Sequence, residues 1–153
     1  MHAKIFDPDL IFSDIDIKDK DQLLDFIASK MYQLNYVKES YIQAVVEREK
    51  NFPTGIQTQQ YGIAIPHTDI IHVNKPIVAV CILSNPIIFK AMGMPEEEVP
   101  VKFVFMLSID DPNNHIELLS KLSILFQDKN IMTEVSVLSR DKIFKSLNYY
   151  MNR

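Results

Sequence analysis

Two apolar runs constrain this chain more than any other feature. Ile77 to Leu83 is almost uninterrupted hydrocarbon, and Val99 to Leu107 is mostly Val, Phe and Met. Both are of strand length, and both are too apolar to leave a face in water, so they read as buried strands. Neither approaches the ~20 apolar residues that cross a bilayer, and no other segment does. Gly62-Ile63-Ala64-Ile65 is a shorter strand candidate stopped by Pro66, and Leu10-Ile11-Phe12 fits an edge strand or an N-terminal arm. Pro86 to Phe89 reads as a hairpin partner with its turn at Ser84-Asn85, and Met92 to Glu98 reads as a loop.

Helical periodicity surrounds these strands. Leu23, Phe26, Ile27, Met31 and Leu34 recur at helical spacing behind Asp19, which can cap the helix together with Gln22. That predicts a helix over about residues 20–34. A second helix starts near Ser40 and carries Tyr41, Ala44, Val45 and Arg48. Phe52-Pro53-Thr54-Gly55 ends it, because proline cannot continue a helix and glycine frees the backbone. Arg48 therefore falls in the last turn, where the helix dipole favours a cation. Asp110 to Asn114 has helix-cap chemistry, and Ile116, Leu119, Leu122, Leu125 and Phe126 mark a third helix. Val135, Leu138, Ile143, Phe144 and Leu147 mark one or two more. Helices, then strands, then helices point to an α/β or α+β arrangement around a mixed sheet. With 153 residues the chain is one domain, 1–153, with its core over about 5–147.

Charge and cysteine usage narrow the function classes. The formal net charge is −4, and the 16 Lys and Arg residues are scattered. No basic stripe offers itself to a nucleic acid or to a membrane surface. The N-terminus has no apolar signal core, so the expectation is a soluble, cytoplasmic protein without direct membrane insertion. Cys81 is the one cysteine and lies inside an apolar run, which suits a small buried residue in a reducing compartment.

The chemistry centres on the histidines His2, His67, His72 and His115. His2 lies at the terminus and carries no functional weight. Pro66 fixes its own φ and holds Ile65 extended, so His67 projects just past the carboxyl end of a strand, where open α/β sheets favour ligands. His115 follows another buried strand by a short loop, so the two histidines could meet across one face of the sheet. His67, Asp69 and His72 together resemble a metal-ligand cluster, but the histidines are five residues apart, which suits neither helical neighbour spacing nor a complete ligand set. A metal-dependent hydrolase on these three residues is the lesser alternative.

Arg48-Glu49, Phe52-Pro53-Thr54-Gly55 and Gly62-Ile63-Ala64-Ile65-Pro66-His67 together resemble the type-2 IIA domains of the bacterial sugar phosphotransferase system. These are the fructose-, mannitol- and galactitol-type IIA proteins. Val101 to Leu107 and His115-Ile116-Glu117-Leu118-Leu119 fit as well, so the likeness spans nearly the whole chain. Thr68 departs from the small residue that many members carry after the histidine. Together with Asp69 and the Phe-Pro-Thr-Gly-Ile stretch, it leans the likeness towards the galactitol branch.

The resemblance implies an α/β domain with a mixed sheet flanked by helices on both faces. It implies that His67 is phosphorylated on Nε2 by the carrier HPr and that the phosphoryl group passes to a cysteine of a IIB component. His115 then matches a second active-site histidine, and Arg48 would stabilise phosphate oxygens. Thr54 adds a hydroxyl or shapes the loop, while Glu49 reads as a solvated partner of a lysine. A backbone carbonyl near residues 67–69 would hold the other ring nitrogen of His67. No cofactor is expected, since the chain has three glycines and no phosphate-cradling Gly-rich motif. Ile70 and Ile71, with Met92 and Met94 at the rim, are expected around the site as a docking surface. A regulatory module that takes phosphate on His67 without supporting transport is the alternative within the family.

Overall fold

A computed structural model describes residues 4–152 of the chain. His2, set aside above, lies outside the described residues.

Strand β1 (Phe6–Ile15) is followed by helices α1 (Lys20–Gln33) and α2 (Ser40–Asn51). Two short strands come next, β2 (Gly55–Gln57) and β3 (Gly62–Ala64), and then a 3₁₀ turn at Ile70–His72. Two long strands, β4 (Ile77–Ala91) and β5 (Met94–Ser108), precede helices α3 (Pro112–Gln127), α4 (Lys129–Val135) and α5 (Arg140–Met151). The starts of α1, α3 and α4 follow from capping side chains. Asp19 Oδ2 accepts from Gln22 N, Asp111 Oδ1 from Asn113 N with Pro112 in the first turn, and Asp128 Oδ1 from Asn130 N. α1 ends with Asn35 in the left-handed region at φ 66°, where Tyr36 N donates to Met31 O and closes a Schellman turn.

The sheet is mixed. β1 runs parallel to β4, β4 antiparallel to β5, β5 parallel to β3, and β3 antiparallel to β2. β2 also touches the far end of β4 through Gly55↔Ala91. Alternation along β4 explains why its sequence is apolar throughout. Ala79, Cys81 and Leu83 pack into one core with Leu23, Ile27, Met31, Tyr41 and Val45 of α1 and α2. Val78, Val80 and Ile82 pack into a second core with Leu122, Leu125, Ile143 and Leu147 of α3 and α5. The two layers of helices cover both faces, as expected. Edge-on ring pairs Phe105–Phe126 and Tyr61–Phe103, with centroids 5.0 and 5.1 Å apart, tie sheet to helix and sheet to hairpin. Each such pair adds about 0.5–1.5 kcal/mol to its burial.

Two expectations fail in the β4–β5 ribbon. Ser84-Asn85 is not a hairpin turn, and Met92 to Glu98 is not a loop. β4 continues through residues 84–86 as an exposed irregularity, where register jumps from Ile82↔Phe103 to Ile87↔Val101. Pro86 is tolerated there because a bulge needs no ladder hydrogen from it. The turn falls instead at Met92-Gly93, where Gly93 has φ +78°. The acidic stretch Glu96-Glu97-Glu98 is the solvent-exposed start of β5. Leu10-Ile11-Phe12 does form a strand, longer than its apolar core and parallel to β4. Cys81 is buried, and burial pushes its thiol up to about 12, so it is inert as a nucleophile.

Candidate functional site

β3 and β5 are parallel neighbours, paired Ile63↔Phe103 and Ala64↔Val104. Beyond β3 the pairing continues through one more bond, from Leu107 N to Pro66 O at 3.0 Å. The chain therefore leaves both strands at the same end of the sheet. His67 follows Pro66, and His115 follows a short loop at the first turns of α3. The rings meet edge to face, with centroids 5.3 Å apart and planes at 73°. Adjacent parallel strands are what bring together two histidines far apart in sequence.

His67 Nδ1 lies 2.8 Å from Ile65 O. A carbonyl only accepts, so Nδ1 carries the proton and Nε2 is the nitrogen left with a lone pair. The expected carbonyl at residues 67–69 is thus replaced by that of Ile65, two residues upstream, because the extended Ile65-Pro66 segment turns its carbonyl back towards the ring. Burial lowers the pKa of His67 below its ordinary value. The Ile65 carbonyl opposes this, His115 and Arg48 add to it, and Asp69 opposes it. His115 is lowered as well, by burial first and by Arg48 second. At neutral pH both rings are uncharged. His115 Nε2 is buried and has no hydrogen-bond partner among the described residues.

Arg48 reaches the same place from the last turn of α2. Its guanidinium sits over the Phe52 ring, 5.0 Å from the centroid, and Nη1 is 3.8 Å from Asp69 Oδ1. Both partners in that ion pair are well exposed, so it holds Arg48 loosely. Arg48, Thr54, His67 and His115 line one open cleft of about 480 Å³ together with the apolar side chains of Met92, Leu119 and Phe126. The four residues singled out in the sequence are therefore assembled at one cleft. Ile70 and Ile71 are exposed near His67, and Phe52, Met94 and Ile116 are also exposed apolar groups.

Thr54 does not offer a free hydroxyl. Its Oγ1 donates to Glu49 Oε1 at 2.8 Å and accepts from Ile65 N at 3.2 Å, while its own N–H donates to Glu49 Oε2 at 2.8 Å. Glu49 is the residue that sequence reasoning misplaced. It is 3 % exposed rather than solvated, and burial raises its pKa against the hydrogen bonds from Thr54 and the charge of Lys20. Spacing could have found it: Tyr41, Val45 and Glu49 repeat every fourth residue on the buried face of α2.

The metal alternative finds no support. His72 Nδ1 is 2.8 Å from Ser40 Oγ, and Asp69 faces Arg48. Among the described residues no three His, Cys, Asp or Glu side chains form a metal-binding group.

The site thus presents two paired imidazoles and one arginine in a single open cleft. Residues 4–150 match the model of the phosphoenolpyruvate-dependent sugar phosphotransferase system EIIA 2 family, and the chain belongs to that family. Its members are phosphotransferases that work through a phosphohistidine, and this chain is a phosphocarrier of that kind. It is 27 % identical over 139 residues to the galactitol-specific EIIA component of Escherichia coli K12, covering 91 % of this chain and 92 % of that one. The transcriptional regulator ManR of Bacillus subtilis is 26 % identical over 139 residues, covering 84 % of this chain and 20 % of the regulator. The fold is similar to IIA in the NMR complex of the mannitol enzyme IIA with phosphorylated IIB from Escherichia coli. That match has a TM-score of 0.75 at 21 % identity and covers 95 % of this chain and 97 % of the other. Among the described residues no helix is long and apolar enough to cross a membrane.

Proposed function

We propose that His67 Nε2 accepts a phosphoryl group from an HPr-like phosphohistidine carrier and passes it to a cysteine of a IIB component, in the cytoplasm, for sugar uptake. The observation that carries this reading is the 2.8 Å bond from His67 Nδ1 to Ile65 O, which fixes the tautomer with Nε2 free. In the first step the Nε2–P bond forms as the donor's N–P bond breaks, and that electron pair returns to the donor imidazole. Nδ1 keeps its proton on Ile65 O throughout. In the second step a thiolate sulfur takes the phosphorus, the Nε2–P bond breaks, and His67 returns to its neutral form.

Little covalent help is needed, since phosphoryl transfer depends on positioning and on charge stabilisation at the equatorial oxygens. The planar fork of Arg48 suits those oxygens, and its loose pairing with Asp69 lets it turn to them. His115 Nε2, buried without a partner, would gain one in a phosphoryl oxygen. Thr54 shapes the loop rather than touching phosphate. The exposed apolar residues Ile70, Ile71 and Met92 give protein partners a surface around the ring.

The mannitol IIA of the same fold forms a complex with phosphorylated IIB, which supports a IIB partner here. The galactitol-specific relative supports an alditol as the sugar of the system. The ManR match keeps a regulatory reading in view. Incubation with phospho-HPr tests the assignment: His67→Ala should take up no label while keeping its fold, and phosphohistidine on that variant would defeat it. Deletion of the gene separates the two roles, since a transport component's loss abolishes uptake, whereas a regulator's loss alters expression with uptake intact.

A further inference from the structure

The bond that leaves Nε2 of His67 free depends on where Ile65 sits, and Ile65 is held by a side chain that the reaction itself does not use. Ile65 O accepts from His67 Nδ1 at 2.8 Å, and Ile65 N donates to Thr54 Oγ1 at 3.2 Å. A threonine hydroxyl has one hydrogen. Here it goes to Glu49 Oε1, so the oxygen presents only lone pairs to Ile65 N. Glu49 Oε2 receives the Thr54 N–H, so both carboxylate oxygens are committed to one residue. Glu49 is held in turn by its place on the buried face of α2, below Tyr41, whose hydroxyl donates to Leu107 O at 2.6 Å. Leu107 N binds Pro66 O. Residues 65 and 66 are therefore held by Thr54 on one side and by Leu107 of β5 on the other, and each of these holders is bound in turn by a side chain of α2, Glu49 or Tyr41.

We propose that Glu49 is a positioning residue for His67: through Thr54 and Ile65 it fixes the histidine in the Nδ1–H tautomer. This rests on the reading of His67 as the phosphoryl acceptor only for its functional consequence, because the tautomer is a property of the unphosphorylated protein. A carboxylate is required because it alone accepts both Thr54 hydrogens. A glutamine in its place has one acceptor oxygen and turns an N–H₂ donor at the other hydrogen. The Thr54 hydroxyl then rotates to find another acceptor, and Ile65 N loses its partner.

The test is the ring ¹⁵N–¹H correlation spectrum of His67 above its pKa, together with the rate of labelling by phospho-HPr. The wild-type protein should show the Nδ1–H tautomer alone. Glu49→Gln should show a mixture of tautomers and label roughly tenfold more slowly, the lower end of the effect of losing an outer partner of a functional histidine. Thr54→Val should do the same, and Thr54→Ser, which restores the hydroxyl, should return both readouts to wild type. Should Glu49→Gln fail to fold, the Thr54→Val and Thr54→Ser pair decides. An unchanged tautomer in a folded Glu49→Gln or Thr54→Val protein overturns the proposal. A shifted tautomer in a protein whose His67→Ala variant still takes label would leave this relay standing and remove the acceptor assignment.

Discussion

His67 and His115 approach edge to face at 5.3 Å, with both rings held neutral by burial and by the nearby Arg48 charge. Two imidazolium ions would repel at that distance, so the pair favours at most one proton. His115 Nε2 is the unmatched member, buried without a partner. A hydrogen bond to a charged group is worth about 1.5–3 kcal/mol. His115→Ala should therefore slow phosphoryl transfer by roughly 10- to 100-fold, where 1.4 kcal/mol is about tenfold. It should cost little stability, because it removes an unsatisfied atom. Single-turnover labelling and thermal melts of one preparation measure both.

Arg48 should separate catalysis from stability in the same way. Its ion pair with Asp69 spans 3.8 Å between exposed groups, and such pairs contribute about 0–1 kcal/mol. Arg48→Ala should lower the transfer rate by about 100-fold or more, as loss of a preorganised charge does, with a denaturation midpoint close to wild type. Arg48→Lys should recover only part of the rate, since a point charge cannot grip two oxygens as the fork does. Full recovery with lysine would show that charge alone suffices.

The lowered histidines also set a pH dependence. His67 and His115 have folded pKa values below the ordinary value of about 6.5. Just below pH ~6.5 the unfolded chain binds more protons than the folded one, so stability falls as pH drops from there and levels off beneath the folded values. Urea denaturation across this range should show that slope, and a His67→Ala/His115→Ala double variant should flatten it. The labelling rate of wild type should hold through pH 6.5 and fall only further down, as His67 gains its proton.

Gly62 fixes the approach of β3 to β5. A Cβ there would lie 2.1 Å from Pro100 O, a backbone atom with no room to yield. Gly62→Ala should cost about 1–3 kcal/mol through overpacking. It should also reduce labelling more than the stability loss explains, because moving β3 moves Pro66 and His67 away from Leu107. Melting temperature and labelling rate at a fully folding temperature test the two parts.

Much of this was open to reading. Asp19, Asp111 and Pro112 stand at helix starts as their chemistry requires, whereas Ser40 opens α2 without capping it, its hydroxyl going to His72. Pro66 after an apolar strand announces a histidine at a sheet end. The ribbon misled because Ser84-Asn85-Pro86 has stronger turn chemistry than Met92-Gly93, and a local rule cannot see that the first is a bulge supported by a partner strand. The three glutamates at 96–98 look like loop because an exposed two-stranded ribbon buries too little to print alternation. Glu49 was missed because a carboxylate beside an arginine is usually solvated, and its hydrogen-bond partner is created by the Pro53 turn that folds Thr54 back over the helix end. The partnership of Nδ1 with residue 65 is likewise a matter of backbone direction, which no side-chain pattern records.

α2 delivers three groups from 12 residues: Tyr41 and Glu49 inward, Arg48 to the cleft. Adding or deleting one residue between Tyr41 and Arg48 would rotate everything beyond it by about 100°, swinging the arginine off the histidine and the carboxylate into water together. This helix is therefore a fixed-pitch key whose tooth spacing admits no gradual change.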